Sequence, residues 1–371
     1  MGGAPNHTTL PERNLDVLRA VAVLCVLADH LLTTWGIQPR LFETWVSWDL
    51  GRMGVLLFFV HTSLVLMSSL EREGARRDWV RAFYMRRALR IYPLAIATIL
   101  GVVMLGVPPH MTVRPILARA VAPTLKVLAA NLTLTQNVAG QPDVLGVLWS
   151  LPLEVQMYVA LPLCFLIAKR GVGSTLGALV GVGLMGAFVR FSGLPGLWRF
   201  SVALFGPCFM GGVLAYAILR TRKQAVLPSW TWCLLLLACV PLFVLLRPSD
   251  ENPERGWLFC LGVGCAIPLA RNLGESAFTR IAHLVCTYSY GIYLLHQPAL
   301  WFSFSVLKGL PTAFQWLTCI TLIVSLPGLF YHFVEHPGIQ LGKRLVGKGA
   351  RVVPQAPELC EGFAVPGIKY R

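Results

Sequence analysis

Apolar residues in this chain come in long blocks rather than in alternating or striped patterns. Ten blocks, at about 15–35, 53–70, 91–107, 145–168, 172–190, 200–219, 229–246, 256–270, 281–306 and 313–335, are separated by polar segments. A helix needs roughly 20 apolar residues to cross a hydrocarbon core. Inside that core only helices and closed barrels satisfy their backbone polar groups. The pattern predicts an all-α fold: a polytopic membrane helix bundle of about ten transmembrane helices. No Pro- or Gly-rich linker divides the blocks, so residues 1–340 are expected to form one domain and 341–371 a loosely structured cytoplasmic tail. Two gaps stand out. Residues 36–52 make a short aromatic loop, whereas 108–144, opening "PPHMTVRP", is too polar to span and predicts an interfacial or re-entrant helix.

Composition sharpens this picture. The chain is 56% hydrophobic and only 13% charged, where a soluble domain carries about a quarter charged residues. A net charge of +15 would suit nucleic acid in a soluble protein. Here the positive charge marks cytoplasmic loops instead. With the N-terminus inside, the inner segments carry 21 Lys and Arg against 10 in the outer ones. Both termini are therefore expected in the cytoplasm. The polar start "MGGAPNHTTLPERN" is not a cleavable signal sequence. Nine of the ten cysteines lie within apolar blocks and none forms Cys-x-x-Cys, which reads as packing rather than a disulfide framework or a metal site.

Polar residues inside the blocks carry the candidate chemistry. "LRAVAVLCVLADHLL" holds Arg19, Asp29 and His30. A charge at the bilayer centre costs about 2.5–3.5 kcal/mol on insertion scales, so a helix that only spans has no use for one. Snorkelling to the membrane edge accounts for Arg19 but not for a histidine eleven positions further in. Eleven residues bring a helix within about 20° of three full turns. Arg19 and His30 thus share a face, about 16 Å apart along the axis. Asp29 points about 100° away from His30 and is the weaker candidate. In the fourth block Trp149 and Ser150 precede Glu154, and Tyr158 follows one turn later on the same face. Depth counting sets Glu154 level with His30, and His296 in "YSYGIYLLHQP" also falls in the outer half. A histidine whose second ring nitrogen is held by a carboxylate is suited to general-base work. The same residues would serve a buried structural pair or proton-coupled transport, and by themselves they leave all three open. Arg86, Arg87 and Arg90 stand where the cytoplasm meets the third block. Such guanidiniums suit a phosphate or pyrophosphate; they also serve as topology determinants or lipid headgroup contacts.

Six segments, in order, resemble the acyltransferase family 3 of integral membrane proteins. They are "RNLDVLRAVAVLCVLADH", with Arg19 and His30 in place; "MGVLLFFVHTSLVL"; "FYMRRALRIYPL", through Phe83, Arg86, Arg87, Arg90, Ile91 and Pro93; "LWSLPLEVQMY", through Trp149, Ser150, Glu154, Gln156 and Tyr158; "YSYGIYLLHQP", through Ser289, Tyr293, His296 and Pro298; and "YHFVEHP", through Tyr331, Glu335 and Pro337. The resemblance runs from residue 13 to about 340. It implies O-acyl transfer from a cytoplasmic acyl-coenzyme A, acetyl-CoA or another, used as co-substrate with no permanently bound cofactor and no metal. The acceptor would be a hydroxyl of a carbohydrate, glycolipid or exported polysaccharide at the inner membrane. Acylation of a small secondary metabolite such as a macrolide, or transport of an acyl-acceptor molecule, are the alternatives. In this reading His30 acts as general base or transient acyl carrier, and Glu154 orients or charge-balances it. Arg19, Arg87 and Arg90 meet the donor, and Ser150, Tyr158, Tyr293, His296 and His61 line the pocket. Nucleic acid is not a partner. Two departures are visible: Val17 stands where the family has glycine, and the small Ser-Gly expected after Phe-Phe-Val-x is replaced around "HTS", which places His61 and Thr62 in the second block.

Overall fold

The computed structural model describes residues 10–35, 49–73, 78–109, 122–221, 225–249 and 251–347. Every predicted block is helical there. In chain order the helices are α1 (Glu12–Thr34), α2 (Leu50–Glu73), α3 (Trp79–Leu105), α4 (Leu125–Leu132), α5 (Gln136–Ala139), α6 (Leu151–Ala168), α7 (Val172–Phe191), α8 (Ser201–Thr221), α9 (Thr231–Leu246), α10 (Pro253–Ala266), α11 (Ala277–Trp301), α12 (Thr312–Phe330) and α13 (His336–Val346). A 3₁₀ turn, Gly146–Ser150, leads into α6, and π-helical turns follow α11 (Phe302–Val306) and α12 (Tyr331–Glu335).

Among the described residues, six helical segments are long and apolar enough to cross a membrane: α2, α3, α6 with its leading turn, α7, α8 with the turn before it, and α12 running on into α13. Four predicted spans fall outside that set for two reasons. Helices α9 and α10 are short, α11, though 25 residues long, is rich in polar side chains, and α1, 23 residues long, holds Arg13, Asp16, Arg19 and Asp29. Those last two helices are the ones that hold the candidate chemistry. Helix α3 begins at Trp79, well before the expected 91. The basic block is therefore not a loop: Arg86, Arg87 and Arg90 sit on α3 itself, because a helix continues past the apolar stretch that makes it visible.

Helix α2 is the axis of the bundle, 83% buried over its apolar window, whereas α7 is 11% and α12 17% buried over theirs. Apolar side chains on α7 and α12 that meet no other helix suit lipid. Around α2 pack α1 and α8; α8 also holds α10, α7 and α6, α1 packs along α11, and α11 along α12. Helix α13 lies against α3, where Gly338 and Gly342 approach Leu89 and Arg86. The tail boundary expected at 340 thus falls inside a packed helix, and residues 348–371 lie outside the described set. The 108–144 gap contains α4 and α5, clamped by side chains. Asn131 donates to the Val127 and Pro142 carbonyls and accepts from the Val144 amide. Asn137 and Gln156 pair amide to amide, joining α5 to α6.

Gly212 lets α8 close on α2. A Cβ there would land on Ser63 Oγ and on the Val60 carbonyl, which cannot move without bending α2. Gly212→Ala is expected to cost about 1–3 kcal/mol by overpacking, read as a lower midpoint of thermal unfolding in detergent. Gly181→Ala on α7, where a Cβ meets nothing within 4 Å, should leave that midpoint within error. Equal midpoints for the two variants would contradict this packing.

Candidate active site

Helices α1 and α11 run side by side and share three polar contacts, one of them between Asp16 and His283. Toward the C-terminal end of α1, His296 Nε2 lies 3.1 Å from His30 Nδ1, with ring centroids 4.9 Å apart. The remaining partners fix the tautomers. His296 Nδ1 is 3.0 Å from the Ile292 carbonyl, an acceptor only, so Nδ1 carries the hydrogen and Nε2 presents a lone pair. His30 Nδ1 faces that lone pair and, at 2.9 Å, the Val26 carbonyl. Its neighbours are both acceptors, so His30 Nδ1 is the protonated nitrogen. His30 Nε2 is left as a bare lone pair on a ring that is half-buried, while His296 is 1% exposed. That lone pair is the atom a general base uses.

Tyr293 lies one turn before His296, with ring centroids 6.3 Å apart. Its hydroxyl donates to the Val147 carbonyl at 2.8 Å and accepts from Ser150 Oγ at 2.7 Å. The 3₁₀ turn before α6 is thereby tied to α11. Asp29 lies against Gly51 in the first turn of α2, where a carboxylate is favoured, and this agrees with its position off the Arg19–His30 face.

The second contact lies toward the N-terminal end of α1. Arg19 Nε donates to Ser289 Oγ at 2.6 Å, and its guanidinium stands 6.0 Å over the Phe58 ring. From α3, Arg90 lies 4.0 Å from Glu335, a carboxylate with no exposed surface that the π-helical turn brings in. Arg86 is engaged by Glu73 at 3.0 Å. Glu154 accepts from Tyr158 OH, and the cations acting on it are Arg19, Arg90 and Arg87. Tyr290 OH donates to the Ile91 carbonyl at 2.9 Å, joining α11 to α3.

Glu154 therefore does not hold His30, contrary to the expectation from depth counting. Equal depth does not fix rotation about a helix. The Glu154–Tyr158 face of α6 looks at α3, where Phe83 packs edge-on to Tyr158, and the partner at His30 is His296. The candidates separate into one group toward the C-terminal end of α1, His30, His296, Tyr293 and Ser150, and another toward its N-terminal end, Arg19, Arg87, Arg90, Glu154 and Tyr158. His61 lies within electrostatic reach of Arg19, Asp16 and Arg90, with the second of these groups. Sequence reasoning left out Glu335, Ser289 and the Asp16–His283 pair, whose atoms are 2.8 Å apart. Glu335 and Ser289 stand in the quoted motifs, and the signal that could have found them is a polar residue retained inside an apolar block.

The sequence profile of an acyltransferase domain matches residues 12–332, nearly the whole described chain. The chain belongs to this acyltransferase family. It is a membrane enzyme that transfers acyl groups other than aminoacyl groups. Nodulation protein 10 of Rhizobium leguminosarum bv. viciae is 24% identical over 374 residues, covering 94% of this chain and 99% of that protein. Peptidoglycan O-acetyltransferase OatA of Listeria monocytogenes is 25% identical over 356 residues, 87% of this chain. The chain spans only 55% of that relative's length. No solved structure matches. Membership of an acyltransferase family sets aside the transporter alternative.

Proposed function

We propose that this acyltransferase takes an acetyl or other short acyl group from cytoplasmic acyl-CoA and transfers it to a hydroxyl of a carbohydrate, glycolipid or exported polysaccharide at the inner membrane. The observation that carries the mechanism is the His30–His296 contact, which leaves His30 Nε2 unprotonated. The acceptor hydroxyl gives its proton to that nitrogen as its oxygen attacks the thioester carbonyl. The C–S bond breaks, and the departing thiolate takes the proton back, so coenzyme A leaves as a thiol. His296 accepts from His30 Nδ1–H throughout and steadies the ring as it charges. Arg87 and Arg90 hold the donor's phosphates, and Arg19 flanks its path. The peptidoglycan O-acetyltransferase name of one relative supports a polysaccharide acceptor over a macrolide-like one. Mass spectrometry of envelope glycans and glycolipids from cells with and without the protein tests this. Acyl-dependent mass differences on a carbohydrate support it, and differences confined to a small secondary metabolite overturn it.

The ten-span arrangement with both termini inside belongs to the same proposal, supported by the Lys and Arg distribution. A cysteine introduced at Ser47 should react with an impermeant thiol reagent added outside, and one at Gly74 should not. Both positions lie outside the described residues. The reverse labelling would invert the topology and put the arginine cluster on the wrong side for a cytoplasmic donor.

A further inference from the structure

His61 is a buried polar side chain that neither group uses. It is 2% exposed, and its Nδ1 has no hydrogen-bond partner. Native interiors seldom leave a buried ring nitrogen unpaired, so a molecule that is only sometimes present is the natural partner. The packing says which way His61 looks. Phe58, one turn earlier on α2, lies under the Arg19 guanidinium, and the charges acting on His61 are Arg19, Asp16 and Arg90. Helices α1 and α2 run antiparallel, with Gly51 at Asp29 and Gly54 at Cys25 and Val26. Gly51 therefore marks the level of His30. His61 lies ten residues further along α2, about 15 Å toward the N-terminal end of α1. It stands level with Arg19, at the arginine end of the path to His30.

A donor with its phosphates at the arginines and its thioester at His30 lays a pantetheine arm across that interval. The arm carries amides, each with a carbonyl acceptor and an N–H donor. An imidazole always offers at least one N–H, and in its neutral form a lone pair as well. We propose that His61 hydrogen-bonds an amide of the pantetheine arm and so sets how far the thioester reaches toward His30. The proposal rests on the acyl-CoA reading above. It makes His61 a positioning residue, acting through the donor rather than on the reacting atoms.

Binding to the full-length protein in lipid nanodiscs tests it, with two probes: coenzyme A, and the adenosine bisphosphate portion of coenzyme A, which keeps phosphates but lacks the arm. The parent should bind coenzyme A more tightly than the fragment. His61→Phe should weaken coenzyme A about tenfold and leave the fragment unchanged, while His61→Asn, which keeps a donor, recovers part of the loss. Arg87→Ala should weaken both probes. Should His61→Phe fail to fold, His61→Ala is expected to show the same split between the probes. A His61 variant that binds coenzyme A as the parent does, as one holding only a trapped water would, overturns the proposal. So does parallel weakening of both probes, which would mark a general distortion. A parent that binds the fragment as tightly as coenzyme A overturns the arm contact while leaving the donor reading standing. A parent that binds neither overturns both.

Discussion

Acyl transfer by His30→Ala is expected to fall about 10²–10⁴-fold, the usual loss on removing a general base, with the variant still folded and inserted. The size follows from the site's economy. His30 Nε2 is the lone pair that the tautomer chain from Ile292 through His296 leaves available. The nearby hydroxyls of Tyr293 and Ser150 are committed to each other and to Val147. His30→Ala should keep the parent's affinity for coenzyme A, because the arginine cluster is about 16 Å away along α1. His296→Ala should cost less than His30→Ala, since Val26 still accepts from His30 Nδ1–H. Asp29→Asn should stay within a few-fold of the parent, because Asp29 lies off the Arg19–His30 face. Steady-state rates of the purified variants at saturating donor check the order. A fully active His30→Ala enzyme would reduce His30 to a packing residue.

Arg90→Ala is expected to damage both stability and donor use. Glu335 has no exposed surface and lies 4.0 Å from the Arg90 guanidinium. Removing one partner of a buried pair strands the other charge and typically costs about 3–5 kcal/mol. The unfolding midpoint should therefore fall more than for Gly212→Ala. Glu335→Gln should be milder, since it removes the buried charge rather than orphaning it. Combining Arg90→Met with Glu335→Leu should recover much of the stability, because well-packed apolar replacements of buried pairs are often neutral or better. The double variant should still use acyl-CoA poorly. Thermal unfolding and the KM for acyl-CoA, measured side by side, separate the two roles. Arg90→Ala with the parent's midpoint and KM would contradict both.

The helices were legible because a helix that faces lipid or other helices must be apolar for its whole length, and such blocks are visible without structure. The Arg19–His30 face was legible for a related reason: helical geometry is regular, and both side chains do meet α11, at Ser289 and His296. Rotation between helices was not. Nothing along α6 says that Glu154 faces α3 rather than α1, so equal depth suggested the wrong partner for His30. The start of α3 was missed because its first turns are basic and carry no apolar signature. The Arg90–Glu335 pair joins residues far apart in sequence, and the π-helical turn that presents Glu335 leaves no periodic trace. His61 stood out only as a departure in a motif. Its burial and its unpartnered nitrogen are properties of the assembled bundle.

Release of coenzyme A thiol from radiolabelled acetyl-CoA by the purified protein in lipid vesicles, with an acid quench, tests the central claim most directly. With a carbohydrate acceptor supplied, thiol should appear at a rate that depends on acceptor, and label should move to the acceptor hydroxyl. Without acceptor, thiol release should be negligible and the quenched protein should carry no label. Label retained on the parent but not on His30→Ala would replace the general base with an acyl-histidine carrier. No acceptor-dependent thiol release, with the label remaining on acetyl-CoA, would contradict transfer from acyl-CoA to a hydroxyl altogether.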